Sequence, residues 1–281
     1  MAEVSMKAIK SRIKSVESTL QITHAMELVS TSKLQKAKMR ALSTKSIHTV
    51  LLDTLNALSH DRQAYYSELF GNHVSGKKCF IVISGDRGLA GGYNSNLFRF
   101  VSDEIENNNS AVLPIGKKSL EHYKAGGKEI ISSLYGLSSN VKISDCFNIG
   151  KLLYDAYTAG RYSSITIVYT EFTSILTQIP RAEQIFPLVK KEDTKFSTEL
   201  AIYEPSLDEI IKNVAIQYIS TMLYCAVSEA VAAEHAARRN SMNNANKNGE
   251  KMLDDMRLQY NRARQSVITQ EITEIVAGSN S

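Results

Sequence analysis

The sequence is poor in cysteine and lacks tryptophan, and what it lacks excludes several classes of protein. Its three cysteines, Cys79, Cys146 and Cys225, are far apart and form no C-x-x-C pair. Neither a disulfide framework nor a zinc site is therefore indicated. No uninterrupted apolar stretch approaches the ~20 residues that span a bilayer, and the N-terminus has no apolar signal core. We expect a chain that stays in a reducing compartment.

Glycine and proline are absent from long parts of the chain. The first 70 residues contain neither, all four prolines lie between residues 113 and 206, and from 206 to 277 the only such residue is Gly249. Gly and Pro are the residues that most often interrupt a helix. The distribution therefore predicts an N-terminal helix in residues 1–62, a central domain in 63–205 and a C-terminal helix in 206–281.

Both end segments repeat apolar residues at alternating intervals of three and four. The members are Met6, Ile9, Ile13, Val16 and Leu20 in the first segment, and Leu253, Met256, Tyr260, Ala263 and Val267 in the last. This spacing places a narrow apolar seam on a helix, as in a coiled coil, and two such seams can pair antiparallel. As single helices the segments would be roughly 85 Å and 105 Å long. A break near Gly249 remains open, because the surrounding run is rich in asparagine.

The middle of the chain alternates between strand and helix patterns. Strands are predicted at 78–84, 111–116 and 164–170, and helices at 96–106, 117–124 and 146–159. Repeated strand and helix indicate a small α/β domain with a largely parallel sheet. Residues 171–203 have no clear periodicity and receive no assignment. The predicted fold class is α/β: a long antiparallel coiled coil of the two end helices with a small central α/β domain.

A glycine-rich stretch, SGDRGLAGGYN at residues 84–94, follows the first predicted strand. A dinucleotide fingerprint needs glycines at relative positions 0, 2 and 5, whereas these lie at 0, 3, 6 and 7. A P-loop needs Gly-Lys-Ser/Thr after four intervening residues, and that pattern is absent too. We favour a tight turn or close backbone approach, in a structural or interface role, over a nucleotide site.

No set of residues assembles an active site, so we expect no catalytic, cofactor-binding or metal-binding residue. The six histidines show no metal-ligand spacing, and Cys79 lies inside a strand pattern where it should be inert. Residues 1–60 carry nine basic against four acidic side chains, including a cluster from Lys33 to Lys45. Such a cluster suits nucleic acid or an acidic protein equally. Two alternative functions remain: a dinucleotide-dependent enzyme built on the central α/β domain, and a coiled-coil scaffold that binds nucleic acid through the basic cluster.

Three stretches, in order along the whole chain, resemble one family. Residues 260–281, which include ITQEITEIVAGS, are similar to the end of the gamma subunit of F-type ATP synthases. Residues 9–37 look like that family's first helix, and SGDRGLAGGYN like its central loop. Small departures are Ala90, where many members have cysteine, and His24, where lysine is common. The resemblance implies a continuous C-terminal helix, an antiparallel coiled coil and an α/β domain beside it.

The resemblance also implies a function. In that family the subunit is the rotary central stalk, which couples ion flow, here expected to be proton flow, through a membrane ring to ATP synthesis on neighbouring catalytic subunits. The implied partners are the alpha and beta subunits of the catalytic head, the epsilon subunit and the ring of c subunits, with no nucleic acid and no cofactor. The implied location is peripheral, on the cytoplasmic face of the bacterial inner membrane.

Matching motifs carry individual positions over to this chain. The resemblance implies contact with the catalytic ring for five residues: Met26, Arg264, Gln270, Thr273 and Glu274. It implies contact of the stalk's foot with the membrane ring for Tyr203 and Glu204. The basic cluster suits acidic loops of the catalytic subunits. An apolar C-terminal tip suits an end that rotates inside the catalytic ring without charged contacts, and its members are Val267, Ile268, Ile272, Ile275 and Val276.

Overall fold

A computed structural model describes residues 2–58, 69, 76–106, 109–132, 141–188 and 203–279. Its elements in chain order are α1 (Ala2–Leu58), β1 (Lys77–Ile83), α2 (Tyr93–Glu106), β2 (Ser110–Ile115), α3 (Lys117–Ala125), β3 (Glu129–Ile130), α4 (Ile143–Thr158), β4 (Tyr162–Phe172), β5 (Gln178–Phe186) and α5 (Leu207–Ser279). The chain divides into two compact units. Unit 1 comprises Met1–Thr31 with Arg238–Ser281, and unit 2 comprises Ser32–Ala237. Each long helix contributes to both units, whereas the divisions expected from the sequence follow helix ends.

Unit 1 is an antiparallel pair formed by the start of α1 and the end of α5. Glu17 bonds Arg257 at 3.1 Å, and Glu27 accepts a hydrogen bond from Asn243, so positions rise on one helix as they fall on the other. The ten predicted seam residues are the buried or half-buried positions of their stretches, and the side chains between them are mostly exposed. The predicted antiparallel pairing of apolar seams is confirmed.

Helix α5 continues without a break through the asparagine-rich run. Gly249 lies against α1: a Cβ at this position would stand 2.7 Å from Leu20 Cδ2 and 3.1 Å from Leu20 Cγ. A glycine in a helix interior costs about 1 kcal/mol relative to alanine, and here the missing side chain makes room for Leu20. The possible break near Gly249 was therefore wrong, and the continuous helix implied by the family resemblance is confirmed.

Unit 2 is built on a five-stranded sheet in the order β3-β2-β1-β4-β5. Strands β3, β2, β1 and β4 pair in parallel, and β5 pairs antiparallel with β4 at the edge. The predicted strands and helices of this domain are found within three residues of their expected ends. Strand β5 falls in the unassigned stretch 171–203. It shows no clear strand pattern, because Ile185 and Phe186 are its only buried residues and Pro180 interrupts it. Residues 189–202 of that stretch lie outside the described part of the chain.

Helices cover both faces of the sheet because residues of β1 alternate between two apolar clusters. Phe80 and Val82 pack with Leu97 of α2 and Tyr123 of α3 on one face. On the other face Cys79, Ile81 and Ile83 pack with α4, with the first part of α5 and with Leu55 of α1. Strands that are buried on both faces read as continuous apolar runs, which is how β1 and β2 appear in the sequence.

Among the described residues, one helix, Leu207–Gly278, is long and apolar enough to span a bilayer by length and composition. Its most apolar 18-residue window is 61% buried inside the protein. That burial is typical of a core helix, and residues of this helix such as Ile219 and Leu223 belong to the main core of unit 2.

Candidate interaction sites

The glycine-rich loop between β1 and α2 makes a close approach and a tight turn. A Cβ at Gly85 would lie 2.8 Å from Cδ and from Oε1 of Glu234, a buried residue of α5. The Gly85 N–H donates to Oδ1 of Asn94 at 3.0 Å. Gly91 has a φ of +56°, in the region that favours glycine. These glycines therefore allow the loop backbone to pass close to Glu234 and to turn with a positive φ.

Oxygen atoms of the same loop accept hydrogen bonds from the first three N–H groups of α3. The Lys117 N–H donates to Oδ1 of Asp86 at 2.9 Å, and the Lys118 N–H to the carbonyl oxygen of Gly85 at 3.1 Å. The Ser119 N–H donates to Oγ of Ser84 at 2.7 Å. Free N–H groups at a helix start are what a phosphate would bind. At α3 the protein's own oxygens already occupy these three donors.

The loop also fastens the sheet to α5. The Tyr93 hydroxyl donates to the backbone oxygen of Ala230 at 3.0 Å, and Ala90 and Tyr93 form a small buried cluster with Ala233. Leu89, in the same loop, is exposed and has a φ of +61°. These contacts give the loop a structural role.

Replacement of Asp86 tests the capping contact. We expect Asp86→Ala to lower the free energy of unfolding by about 1 kcal/mol, because the Lys117 N–H then loses its acceptor. Urea denaturation followed by circular dichroism measures this change. Asp86→Asn keeps an acceptor oxygen and should lose less than about 0.5 kcal/mol. Equal losses in the two variants would show that the contact does not act as a cap.

The five residues expected at the catalytic ring all lie in unit 1, but they do not form one cluster. Met26 is half-buried, and Arg264, Gln270, Thr273 and Glu274 are exposed near the end of α5. The cross-helix contacts place Met26 beside Asn246. Arg264 lies about 27 Å further along the pair, at 1.5 Å per residue. Gln270 Nε2 donates to Oε1 of Glu274 at 2.9 Å. The Thr273 hydroxyl donates to the backbone oxygen of Thr269 at 2.8 Å.

The end of α5 presents both polar and apolar side chains to solvent. All described side chains from 268 to 278 are exposed, including Ile272 at 57% and Ile275 at 70%. Val267 alone of the expected apolar tip belongs to the half-buried seam. Exposed large apolar side chains mark interaction surfaces when they are grouped, so this end offers a surface for a partner.

Tyr203 and Glu204, expected at the foot, lie in unit 2 directly before α5. Tyr203 is half-buried and Glu204 is exposed. The next residues start the helix: the Glu209 N–H donates to Oγ of Ser206 at 3.3 Å. This cap places the two residues at a defined helix start.

The described residues contain no group of three or more His, Cys, Asp or Glu that could hold a metal ion. Burial raises the pKa of Cys79 to about 12 and the pKa of Cys146 to about 12, so neither thiol ionises near neutral pH. On α1, the described basic side chains Lys33, Lys36, Lys38 and Arg40 are exposed.

Sequence reasoning missed three polar residues inside the helix pair. Asn246 Nδ2 donates to Oε2 of Glu27 at 2.7 Å, and Asn243 Nδ2 donates to Oε1 of Glu27 at 3.1 Å. A signal was present, because both Glu27 and Asn246 continue the three-and-four spacing of their seams. A search that considers only apolar residues does not find them.

Comparison with known proteins identifies relatives over the whole chain. A family model described as ATP synthase matches residues 5–281. The ATP synthase gamma chain of Alkaliphilus metalliredigens is 38% identical over 283 residues and covers 98% of each chain. The sodium-ion-specific ATP synthase gamma chain of Acetobacterium woodii is 34% identical over 300 residues and covers 99% of each chain.

Solved structures share the fold. A chain in the cryo-EM structure of the Euglena gracilis mitochondrial ATP synthase superposes with a TM-score of 0.71 at 17% identity, covering 99% of this chain and 94% of that one. A chain from the central stalk and c-ring of the Tetrahymena thermophila mitochondrial ATP synthase has a TM-score of 0.63 at 21% identity, covering 80% of this chain and 99% of that one. Both results support the long helices and central sheet described above.

Proposed function

Since the chain belongs to the gamma-chain family of ATP synthases, we propose that it turns within the catalytic head as the central-stalk subunit and couples ion flow to ATP synthesis. The observation that carries this proposal is the antiparallel helix pair built from the two ends of the chain. Two packed helices resist twisting better than one, and the seams of unit 1 supply that packing. A dinucleotide-dependent enzyme and a nucleic-acid scaffold find no support in the family match.

We propose that the helix pair of unit 1 contacts the alpha and beta subunits. Its exposed end carries Arg264, Gln270, Thr273 and Glu274 beside apolar Ile272 and Ile275. A surface that mixes polar and apolar side chains suits contact with a partner that is bound and released as the stalk rotates. Met26, further along the pair, would meet the catalytic ring at a second level.

We propose that unit 2 contributes the foot of the stalk. Tyr203 and Glu204 would contact the ring of c subunits, and the epsilon subunit would bind beside them. The solved structures that share the fold come from complexes that include a c-ring. As an ATP synthase subunit the chain associates with a membrane-bound complex, and we place it on the cytoplasmic face of a bacterial inner membrane.

We further propose that the chain catalyses no reaction itself. The loop that suggested a phosphate site uses its own oxygens to satisfy the first three N–H groups of α3. ATP would then be formed on the partner subunits, and this chain would rotate between them.

Assays of the purified chain test whether it binds or hydrolyses ATP without the other subunits. We expect no ATP hydrolysis above buffer and no saturable heat of ATP binding in calorimetry. After reconstitution with the remaining ATP synthase subunits, the same preparation should restore ATP-driven ion pumping. Because one relative is named sodium ion specific, pumping should be measured for both protons and sodium. Hydrolysis that persists in the chain after rigorous removal of the other subunits would contradict the proposal.

A further inference from the structure

The seam of the helix pair changes from apolar to polar at the same level on both helices. On α1 the three-and-four spacing continues from Leu20 through Thr23 to Glu27. On α5 it runs back from Leu253 through Gly249 to Asn246, which is only 3% exposed. We call Glu27, Asn243 and Asn246 the polar layer. Residues in this layer hold positions where a coiled coil ordinarily has apolar side chains.

The hydrogen bonds of the polar layer define one axial position. Each carboxylate oxygen of Glu27 accepts one amide N–H, from Asn246 at 2.7 Å and from Asn243 at 3.1 Å. Residues three apart on a helix share a face, so both amides reach the same carboxylate. Hydrogen bonds weaken steeply when distance or angle departs from these values. An axial displacement of either helix therefore breaks both bonds together.

The polar layer has a cost in stability. Oδ1 of Asn246 is buried and has no hydrogen-bond partner among the described residues. A buried acceptor without a partner loses the free energy of its hydration, and a leucine at this seam position would not. Polar seam residues that lower stability are the best-attested means by which coiled coils fix their register.

We propose that the polar layer acts as a shear lock, which holds the two helices in axial register when the shaft is twisted. Twisting a two-stranded coil tends to slide one helix along the other, and apolar side chains can repack after a small slide. A slide of one turn, about 5.4 Å, that brings Met256 to the level of Leu20 would take Glu27 from both amides. It would put Glu250 in the place of Asn246, so that two carboxylates meet in the seam. This inference rests on the proposed function, because a shaft under torque is what such a lock serves.

Disulfide trapping in the isolated chain measures the register directly. Leu20→Cys with Gly249→Cys reports the native register, since the side chain of Leu20 lies within 3.1 Å of a Cβ at Gly249. The Glu17–Arg257 and Glu27–Asn246 contacts place Leu20 between Gly249 and Leu253 in the native register, so Leu20→Cys with Met256→Cys reports a displacement of about one turn. Both pairs are placed in a Cys225→Ser background, and the remaining thiols of Cys79 and Cys146 are buried.

The shear lock predicts opposite effects of Asn246→Leu on register and on stability. Yield of the displaced disulfide should rise about ten-fold, the change in population that the loss of one buried hydrogen bond supports. The thermal unfolding midpoint should stay equal or rise, which loss of a merely structural contact would not produce. Glu27→Gln, which keeps an acceptor and adds a donor that can reach Asn246, should behave as wild type. An unchanged disulfide ratio in Asn246→Leu overturns the proposal.

Reconstituted ATP synthase tests whether the lock serves coupling. Asn246→Leu in the Leu20→Cys/Gly249→Cys chain should lower ion pumping per ATP hydrolysed when the disulfide is reduced, and oxidation of the same sample should restore it. Because Asn246 is buried, its replacement does not alter a partner contact. Equal pumping in the reduced and oxidised samples overturns the lock. Absence of pumping with the wild-type chain would instead overturn the proposed function, and with it the role of the lock.

Discussion

Gly116→Ala should lower the free energy of unfolding by about 3–5 kcal/mol, from overpacking and an unfavourable φ together. Gly116 stands directly before α3 with a φ of +97°. A Cβ there would lie 2.2 Å from the backbone oxygen of Ser84 and 2.9 Å from its carbonyl carbon. Neither neighbour can rotate away, because Ser84 is held by its own N–H bond to Ile115. A loss of this size is a large share of the 5–15 kcal/mol typical of a folded protein.

Gly127→Ala is the matched control for this variant. Gly127 follows α3, also has a positive φ, of +65°, and a Cβ there would meet nothing within 4 Å. Only the backbone penalty remains, which we expect to be about 1 kcal/mol. Urea denaturation of both variants measures the difference. Equal destabilisation would show that the approach of Ser84 to Gly116 does not constrain the fold.

Arg264→Ala should lower coupled ATP synthesis about ten-fold or more, as expected for loss of a central arginine contact at an interface. Arg264 is exposed in unit 1, so the chain itself gives up little when its guanidinium is removed. Exposed substitutions usually change unfolding free energy by less than about 0.5 kcal/mol. The expected result is therefore a loss of coupling with a normal fold, measured as ATP synthesis in reconstituted vesicles beside the thermal midpoint of the isolated chain.

Arg262→Ala provides the comparison for Arg264→Ala. Arg262 is also exposed on α5, but two residues along a helix point in nearly opposite directions. We expect Arg262→Ala to keep most of the synthesis activity. If both variants assemble poorly and lose activity in parallel, Arg264 supports folding or assembly rather than the turning contact.

The helix pair was the most predictable part of the fold. Its three-and-four spacing depends only on helix geometry, so Leu20 and Leu253 could be assigned to a seam before any contact was known. Gly249 shows where such reasoning fails, because helix propensity does not record that Leu20 fills the space above the glycine. Tertiary packing outweighed a local preference.

Contacts between distant parts of the sequence were beyond prediction. The spacing of glycines excluded two nucleotide motifs, but it did not indicate that Gly85 meets Glu234 of α5 or that Asp86 caps α3. Strand β5 was missed because only its last two residues are buried, which leaves no clear alternating pattern. Glu27 and Asn246 were missed because polar residues in a seam look like breaks in it until their hydrogen bonds are seen.

Observation of rotation tests the central claim most directly. A bead is attached through Lys124→Cys, an exposed position of α3, in a Cys225→Ser chain that is assembled with surface-fixed catalytic subunits. We predict that addition of ATP makes the bead turn in one direction, and that removal of ATP stops it. ATP hydrolysis by the assembled complex while the bead stays still would contradict the account.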